Sequence, residues 1–273
     1  MKFSKKMMFG AVALMMAASL VFTGCRDEEG SAAVNISWGN KGKTATVLGT
    51  NDSDDLYARN FSTMRTQHVD YTATATWNKG NAGVIGVMFG MSKNADGTYN
   101  FGVVSLGDTG GTNPRYYVNH YVNVDPVSMV GSASDFTNKD GKPAWADGKD
   151  CPWIDLKGIT ADKDGNFTVA IKVALMGESE GGDGYYKVTL GTELEEDGKS
   201  IKAENIKGTK EVGKTTKFTD NDGNNVKYTS DAKGAGCTQT DVGVYANVYT
   251  GKSLSAKVAF ADIRKYDDVA DGE

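Results

Sequence analysis

The sequence predicts an all-β protein that folds as an antiparallel β-sandwich, and three observations support this prediction. Short segments alternate apolar and polar residues with a period of two, the pattern of strands with one buried face. Asp-Gly pairs recur from 96–97 to 222–223, and both residues tolerate the backbone angles of tight hairpin turns. After the N-terminal segment, no stretch of about ten or more residues shows an apolar helical stripe with capping residues.

The first 24 residues resemble a cleaved export signal. Three lysines precede an apolar run over 7–22, which is about 16 residues long and shorter than the roughly 20 that span a bilayer. The run ends at Phe22-Thr23-Gly24-Cys25, which resembles the lipobox of bacterial lipoproteins although Phe22 replaces the usual Leu. We therefore expect cleavage before Cys25 and acylation of that cysteine, with an ordinary secretory signal as the alternative.

Cleavage would change the charge of the protein. Removing 24 residues from 273 leaves 249, and the loss of three lysines shifts the formal net charge from −5 to −8. This acidic body argues against nucleic-acid binding, which needs a basic surface. The flank 26–29, Arg-Asp-Glu-Glu, resembles surface-export signals of some outer-membrane lipoproteins, and a solvated tether explains it equally well. We expect 25–32 to be an acylated tether and the location to be the outer membrane or the cell surface.

Five segments of the body are predicted to be strands. In 69–77 and 253–260, apolar residues alternate with Asp, Thr, Ser or Lys, which indicates one solvated face. The runs 83–91, 101–106 and 167–175 are more continuously apolar and predict strands buried on both faces. Trp77 ends the apolar face of the first strand, so we expect it in the core.

The segments 134–151 and 177–240 are more polar and irregular than the rest of the chain. We interpret them as long loops or peripheral hairpins of one domain that covers 33–273. The alternative is two small domains that divide near 145–155, although no Pro- or Ser-rich linker is found there.

Two stretches resemble the concanavalin A-like, or laminin G-like, jelly-roll sandwich. In 71–106, a strand ending in Trp77 is followed by a glycine-containing apolar strand, an Asp-Gly turn and a strand that begins with Tyr99. The stretch 242–264 resembles the closing hairpin of such domains. The resemblance implies a jelly-roll fold with a surface that is often used for glycans, and it implies no reaction.

The segment 115–123 is the richest candidate for a binding surface. As a strand, it places Tyr117, Asn119, Tyr121 and Asn123 on one face. Aromatic rings stack on the C–H faces of sugars, and amides both donate to and accept from hydroxyls, so this row suits glycan recognition. The alternative is a central strand whose tyrosines pack the sandwich.

Four further residues in the polar regions carry predictions. Trp145 and Trp153 lie in an irregular region, where an exposed ring would be a ligand platform. Cys151 and Cys237 are the cysteines left after acylation of Cys25. Outside the cytoplasm we expect these two to form a disulfide if the fold brings them together, and two buried thiols are the alternative.

Calcium is the one cofactor that the sequence suggests. Asp220, Asp222 and Asn224 belong to an Asp-x-Asp-Gly-Asn segment, and 162–166 has the same pattern, which resembles the opening of an EF-hand loop. Neither loop has the bidentate Glu expected at its twelfth position. Hairpin turns therefore explain both segments better than calcium loops do.

No catalytic signature is present in the sequence. It lacks the Glu-x-Asp-x-Glu segment of laminarinase-type glycosidases, the Gly-x-Ser-x-Gly elbow and a phosphate-binding loop. We therefore favour a membrane-anchored, non-catalytic module that binds a glycan or a host or matrix ligand. A glycan hydrolase with dispersed carboxylates and a structural subunit of an envelope assembly are the alternatives, so the question of catalysis stays open.

Overall fold

A computed structural model describes residues 32–66, 71–133, 135–146, 152–176, 185–212, 240–261 and 263. Several predictions concern residues outside these ranges and stay predictions: the export signal, the acylated cysteine, the disulfide and the calcium loop. The residues that carry them are Cys25, Cys151, Cys237, Asp220, Asp222 and Asn224.

The described part contains thirteen strands and three short 3₁₀ helices. The strands are β1 (Ala32–Gly39), β2 (Thr44–Asn51), β3 (Tyr57–Thr66), β4 (Tyr71–Asn78), β5 (Gly83–Lys93), β6 (Tyr99–Gly107), β7 (Arg115–Val124), β8 (Ile154–Asp155), β9 (Asn166–Met176), β10 (Tyr185–Gly191), β11 (Ile206–Val212), β12 (Thr240–Tyr249) and β13 (Lys252–Phe260). The 3₁₀ helices are Asn40–Gly42, Pro126–Met129 and Ala203–Asn205.

The strands form two sheets in which all pairs are antiparallel. The seven-stranded sheet has the order β1-β2-β13-β4-β9-β10-β11, and the six-stranded sheet has the order β3-β12-β5-β6-β7-β8. This arrangement confirms the predicted antiparallel β-sandwich. Strands from before and after 145–155 are neighbours in both sheets, so the described elements do not divide there.

The main core lies between the inner faces of the two sheets. Trp77 of β4 and Phe167 of β9 are register partners, and their buried rings lie 5.6 Å apart between centroids. Burial of a side chain such as Phe stabilises a fold by about 1.5–3 kcal/mol. The predicted core position of Trp77 is confirmed.

The alternating pattern of β13 is confirmed, since Leu254, Ala256, Val258 and Phe260 are buried while the intervening polar residues are exposed. The prediction for β9 was wrong on one point. Its burial alternates, so the strand is buried mainly on one face rather than on both. The reason is that the outer face of the seven-stranded sheet is largely in contact with solvent.

The predicted hairpin of β5 and β6 is confirmed, with the Asp96-Gly97 turn between the strands. The Gly97 φ of 88° is one that glycine adopts without strain. By contrast, β12 and β13 do not form the closing hairpin suggested by the resemblance. They follow each other in the chain but lie in opposite sheets. The connection at 250–251 therefore crosses between the sheets instead of joining paired strands.

The region 177–240 is not only loop, because β10 and β11 extend the seven-stranded sheet at one edge. Their pairing is antiparallel from Tyr186–Val212 to Gly191–Ile206. Residues 177–184 and 213–239 lie outside the described ranges.

The irregular segment 125–146, here called the cover, lies over the outer face of the six-stranded sheet; the description omits residue 134 within it. On the β3 side, Arg59 and Gly131 exchange two backbone hydrogen bonds of 2.7 and 3.0 Å. On the β7 side, the Ala146 N–H donates to the His120 carbonyl over 2.8 Å. The cover therefore crosses the outer face of the sheet from β3 to β7. It encloses a second core between itself and that face.

Phe136 is the centre of this second core. Its ring lies edge-on to Phe101 at 5.1 Å and to Tyr121 at 4.9 Å between centroids. It lies 5.3 Å from Tyr245, and the Arg59 Cζ is 4.5 Å from its centroid. Such edge-to-face pairs add about 0.5–1.5 kcal/mol each beyond burial. β5 and β6 are consequently buried on both faces, as predicted.

Replacement of Phe136 by Ala should destabilise the protein by about 3–5 kcal/mol, because a ring that is 1% exposed would leave a cavity. Urea denaturation followed by circular dichroism measures this loss. The matched control is Val127→Ala in the same cover, where the side chain is 76% exposed and the change should stay within about 0.5 kcal/mol. Equal unfolding midpoints for the two variants would contradict the assignment of the second core.

Candidate functional site

The predicted binding row on β7 lies beneath the cover. Tyr117, Asn119 and Tyr121 share the outer face of the six-stranded sheet, as the alternation predicted. However, Asn119 is 4% exposed and Tyr121 is 1% exposed, because the cover packs over them. The expectation of a solvent-facing row is therefore wrong for these two residues, and the alternative of packed tyrosines describes them.

Asn123 leaves the row because β7 contains a bulge. Tyr121 pairs with Phe101 whereas Val124 pairs with Tyr99, so β7 has one more residue than β6 in this stretch. Asn123 adopts a φ of 58° there, and its Oδ1 accepts a hydrogen bond of 3.2 Å from Asn94 Nδ2. The Asn123 side chain is thus hydrogen-bonded to another asparagine at the opposite end of the sheet from Tyr117.

The two loop tryptophans are also separated. Trp145 is half-buried in the second core and forms an isolated bridge with Tyr121. Trp153 lies at the other end of β7, half-buried beside Tyr117, with their rings at 88° and 4.6 Å between centroids. Of the six predicted ligand-binding residues, the structure brings Tyr117 and Trp153 together at a partly exposed place.

Around this pair, the register gathers polar and aromatic side chains at one end of the six-stranded sheet. Tyr57 pairs with Tyr249 across β3 and β12, and Gly107 pairs with Arg115 across β6 and β7. Asp108, which follows Gly107, is the first residue of the loop between β6 and β7. We call the resulting group the Trp153 cluster; its members are Tyr57, Asp108, Arg115, Tyr117, Trp153 and Tyr249.

Trp153 rests against the sheet where glycine leaves room. A Cβ at Gly107 would lie 3.5 Å from Trp153 Cη2 and only 3.1 Å from the Gly83 carbonyl oxygen, a tight contact. The Arg115 Cζ lies 5.2 Å from the centroid of the Trp153 ring, within the range of a cation–π interaction. The indole is thus held by Tyr117, Gly107 and Arg115.

Tyr117 is fixed from beneath by a chain of hydroxyl groups. Its hydroxyl lies 3.4 Å from that of Tyr245, which in turn lies 2.6 Å from Ser105 Oγ. Burial raises the pKa of Tyr117, and the nearby Tyr121 raises it further. The phenol therefore stays neutral at physiological pH and keeps both its donor and its acceptor capacity.

Two charged residues of the Trp153 cluster affect the pKa of Tyr249. Its ring lies 5.5 Å from that of Tyr57 between centroids, and both side chains are half-buried. Burial is the main cause that raises the Tyr249 pKa, followed by Tyr57, while Arg115 lowers it and Asp108 raises it. A cation and an anion thus lie near the same phenol.

Asp108 ties two loops together at this corner. The carboxylate is 2% exposed, and its Oδ1 accepts from the N–H groups of Gly80, Asn81 and Gly110 over 3.4, 2.8 and 2.6 Å. The other oxygen, Oδ2, is buried and accepts no hydrogen bond from a residue that the structure describes. Leaving a buried acceptor unsatisfied costs about 1–3 kcal/mol.

Arg115 forms no ion pair with another residue that the structure describes. It takes part in neither Lys139–Asp96 nor Lys202–Glu193. Its side chain is half-buried, and its Nε is enclosed without an acceptor. Arg59, an arginine on the same face, donates instead to Asn247 Oδ1 and to the Ser128 carbonyl.

The described residues contain no group of three or more His, Cys, Asp and Glu side chains that could hold a metal ion. In 162–166, Asp162 Oδ1 accepts from the N–H groups of Asp164 and Asn166 over 2.9 and 2.8 Å, so this loop is a tight turn closed by its own aspartate. It precedes β9 and does not join two paired strands, so it is not the predicted hairpin. No helix in the ranges described above is long and apolar enough to span a bilayer.

The sequence alone did not identify Tyr57, Asp108, Arg115 or Tyr249 as site residues. Arg115 stands at the start of the aromatic strand, and its position beside Tyr117 is the only local signal. Tyr57 and Tyr249 come together through the pairing of β3 with β12, which joins distant parts of the chain. The position of Asp108 likewise depends on the fold, because its three hydrogen-bond donors are backbone N–H groups from two loops.

The comparisons with known proteins concern the fold. A solved structure of peanut lectin with a nine-residue peptide is similar at a TM-score of 0.32 and 10% sequence identity. The similarity covers 85% of this chain and 91% of that chain. No protein-family model and no curated protein matches the sequence.

His120 gives a pH-dependent test of the packing around β7. Burial lowers its pKa from 6.5 to about 3, so the folded protein keeps the imidazole neutral while the unfolded chain protonates it below about pH 6.5. The free energy of unfolding should therefore fall as the pH drops from about 6.5 towards 3. The contribution of this residue approaches about 1.4 kcal/mol per pH unit.

Urea denaturation at a series of pH values measures this slope. His120→Gln should remove the contribution, whereas His68→Gln, which changes the other histidine of the chain, should retain it. An unchanged slope in His120→Gln would show that the imidazole is not held neutral by burial.

Proposed function

We propose that this protein is a non-catalytic glycan-binding module, anchored by acyl chains on Cys25 at the outer membrane or cell surface. The Trp153 cluster is the proposed binding site. The observation that carries the proposal is a group of four half-buried aromatic rings at one end of the sheet, beside Arg115. Arg115 forms no ion pair with a described residue.

The chemistry of the cluster suits a carbohydrate. Rings of Trp and Tyr offer apolar surface to the C–H groups of a pyranose, and neutral phenols exchange hydrogen bonds with hydroxyls. Arg115 adds a half-buried guanidinium that forms no ion pair with a described residue. Aromatic and arginine side chains are also the residue types that carry most binding energy at interfaces.

The binding test uses the mature chain purified in detergent on a glycan array, followed by calorimetry with the best ligand. Trp153→Ala should weaken binding by about tenfold or more, because it removes a central aromatic anchor. The matched control is Tyr99→Ala, a half-buried aromatic at the far end of β6, which should bind normally.

Two results would count against this function. Absence of binding to any glycan by the folded wild-type protein would remove the proposal. New reducing ends in glycans incubated with the protein would replace it with the hydrolase alternative.

The anchor is tested separately. The wild-type chain expressed in a bacterium should incorporate a fatty-acid probe and partition into the detergent phase, because acyl chains contribute about 0.8 kcal/mol per buried CH₂. Cys25→Ser should lose the probe and move to the aqueous phase, whereas Cys151→Ser should behave as the wild type. Labelling of the Cys25→Ser protein would contradict acylation at this position.

A further inference from the structure

We infer that the site recognises sugars that carry a carboxylate, such as uronic or sialic acids, and that Arg115 is the residue that reads this group. The inference rests on the proposed function and names the class of its ligand. Two arginines, Arg59 on β3 and Arg115 on β7, lie on the same outer face of the six-stranded sheet.

The guanidinium of Arg59 is bound to other parts of the protein. Its Nε donates to Asn247 Oδ1 over 2.6 Å, and its Nη1 donates to the Ser128 carbonyl over 3.0 Å. It also stacks on Phe136. The guanidinium of Arg59 therefore fixes the cover to β3 and β12 and is not available to a ligand.

Arg115 has none of these protein acceptors. Its guanidinium makes a cation–π contact with the face of Trp153, and its Nε is buried with no hydrogen-bond acceptor among the described residues. Asp155 is its register partner on β8, but no ion pair forms within 4.0 Å between them. A partly desolvated guanidinium gains most from a carboxylate, which it binds through two parallel charge-assisted hydrogen bonds.

The aromatic rings make a sugar acid a better match than a simple anion. A sugar acid brings a carboxylate for Arg115 together with C–H groups that pack on the rings of the Trp153 cluster. A neutral sugar lacks the carboxylate, and acetate lacks the C–H faces. Asp108 lies at the same corner but is 2% exposed, so the fold encloses its Oδ2 and keeps it away from a ligand.

The charge of the whole protein argues that such recognition is local. The mature chain carries a formal charge of −8, so its general field repels anionic glycans. Preference for an acidic ligand would therefore come from Arg115 and its surroundings. Adding salt should weaken the preference only modestly if the ion pair is partly buried.

The experiment compares matched glycan pairs that differ only in the carboxylate. Oligogalacturonate is paired with its methyl ester, glucuronate-containing oligosaccharides with their glucose counterparts, and sialylated glycans with their desialylated forms. The mature wild-type chain in detergent should bind the acidic member of its best pair about tenfold more tightly than the neutral member.

Variants of Arg115 assign the preference to this residue. Arg115→Gln should bring the ratio of acidic to neutral affinity close to one, because the loss of affinity falls mainly on the acidic member. Arg115→Lys should keep a smaller ratio, because it retains the charge without the planar fork. Lys93→Gln, which removes an exposed cation over Tyr99 at the far end of the sheet, is the matched control and should keep the full ratio.

The outcomes separate this inference from the proposed function. Equal binding of acidic and neutral members by the wild type, or an acidic preference that survives in Arg115→Gln, would overturn the role of Arg115 and leave glycan binding standing. Binding to no member of any pair would overturn both. Thermal unfolding of each variant establishes that the compared proteins are folded.

Discussion

The packing of the cover on the six-stranded sheet is the interaction on which the rest of the structure depends. Phe136 lies among Phe101, Tyr121 and Tyr245, and the segment that carries it contacts both β3 and β7. This second core gives the two sheets different surroundings. The six-stranded sheet is buried on both sides, whereas the seven-stranded sheet has a largely solvated outer face.

The same packing decides where a ligand can bind. The cover occupies the middle of the outer face, so Asn119 and Tyr121 serve as core residues although their chemistry suits a sugar. At the end of the sheet the cover no longer encloses every ring. There the rings of the Trp153 cluster stay half-buried, and the Arg115 guanidinium forms no ion pair with a described residue. Stability and recognition therefore use different parts of one aromatic face.

The sequence predicted those features that depend on local pattern. Alternation identified β4 and β13, and an Asp-Gly pair identified the β5–β6 turn, because strand period and turn geometry are local properties. The sequence left burial of Tyr121 as an alternative, but the cover has no periodic pattern, so the segment that packs on this tyrosine was not predictable. The bulge at Asn123 and the meeting of Tyr57 with Tyr249 depend on pairing between distant segments, which a single sequence does not specify.

The most direct test of the binding site follows the four tryptophan indole signals by ¹⁵N–¹H NMR while a glycan ligand is titrated into the protein. The account predicts that the Trp153 signal shifts with the binding curve, whereas the signal of Trp77 in the main core stays in place. Saturating ligand with an unmoved Trp153 signal, and shifts confined to the outer face of the seven-stranded sheet, would contradict it.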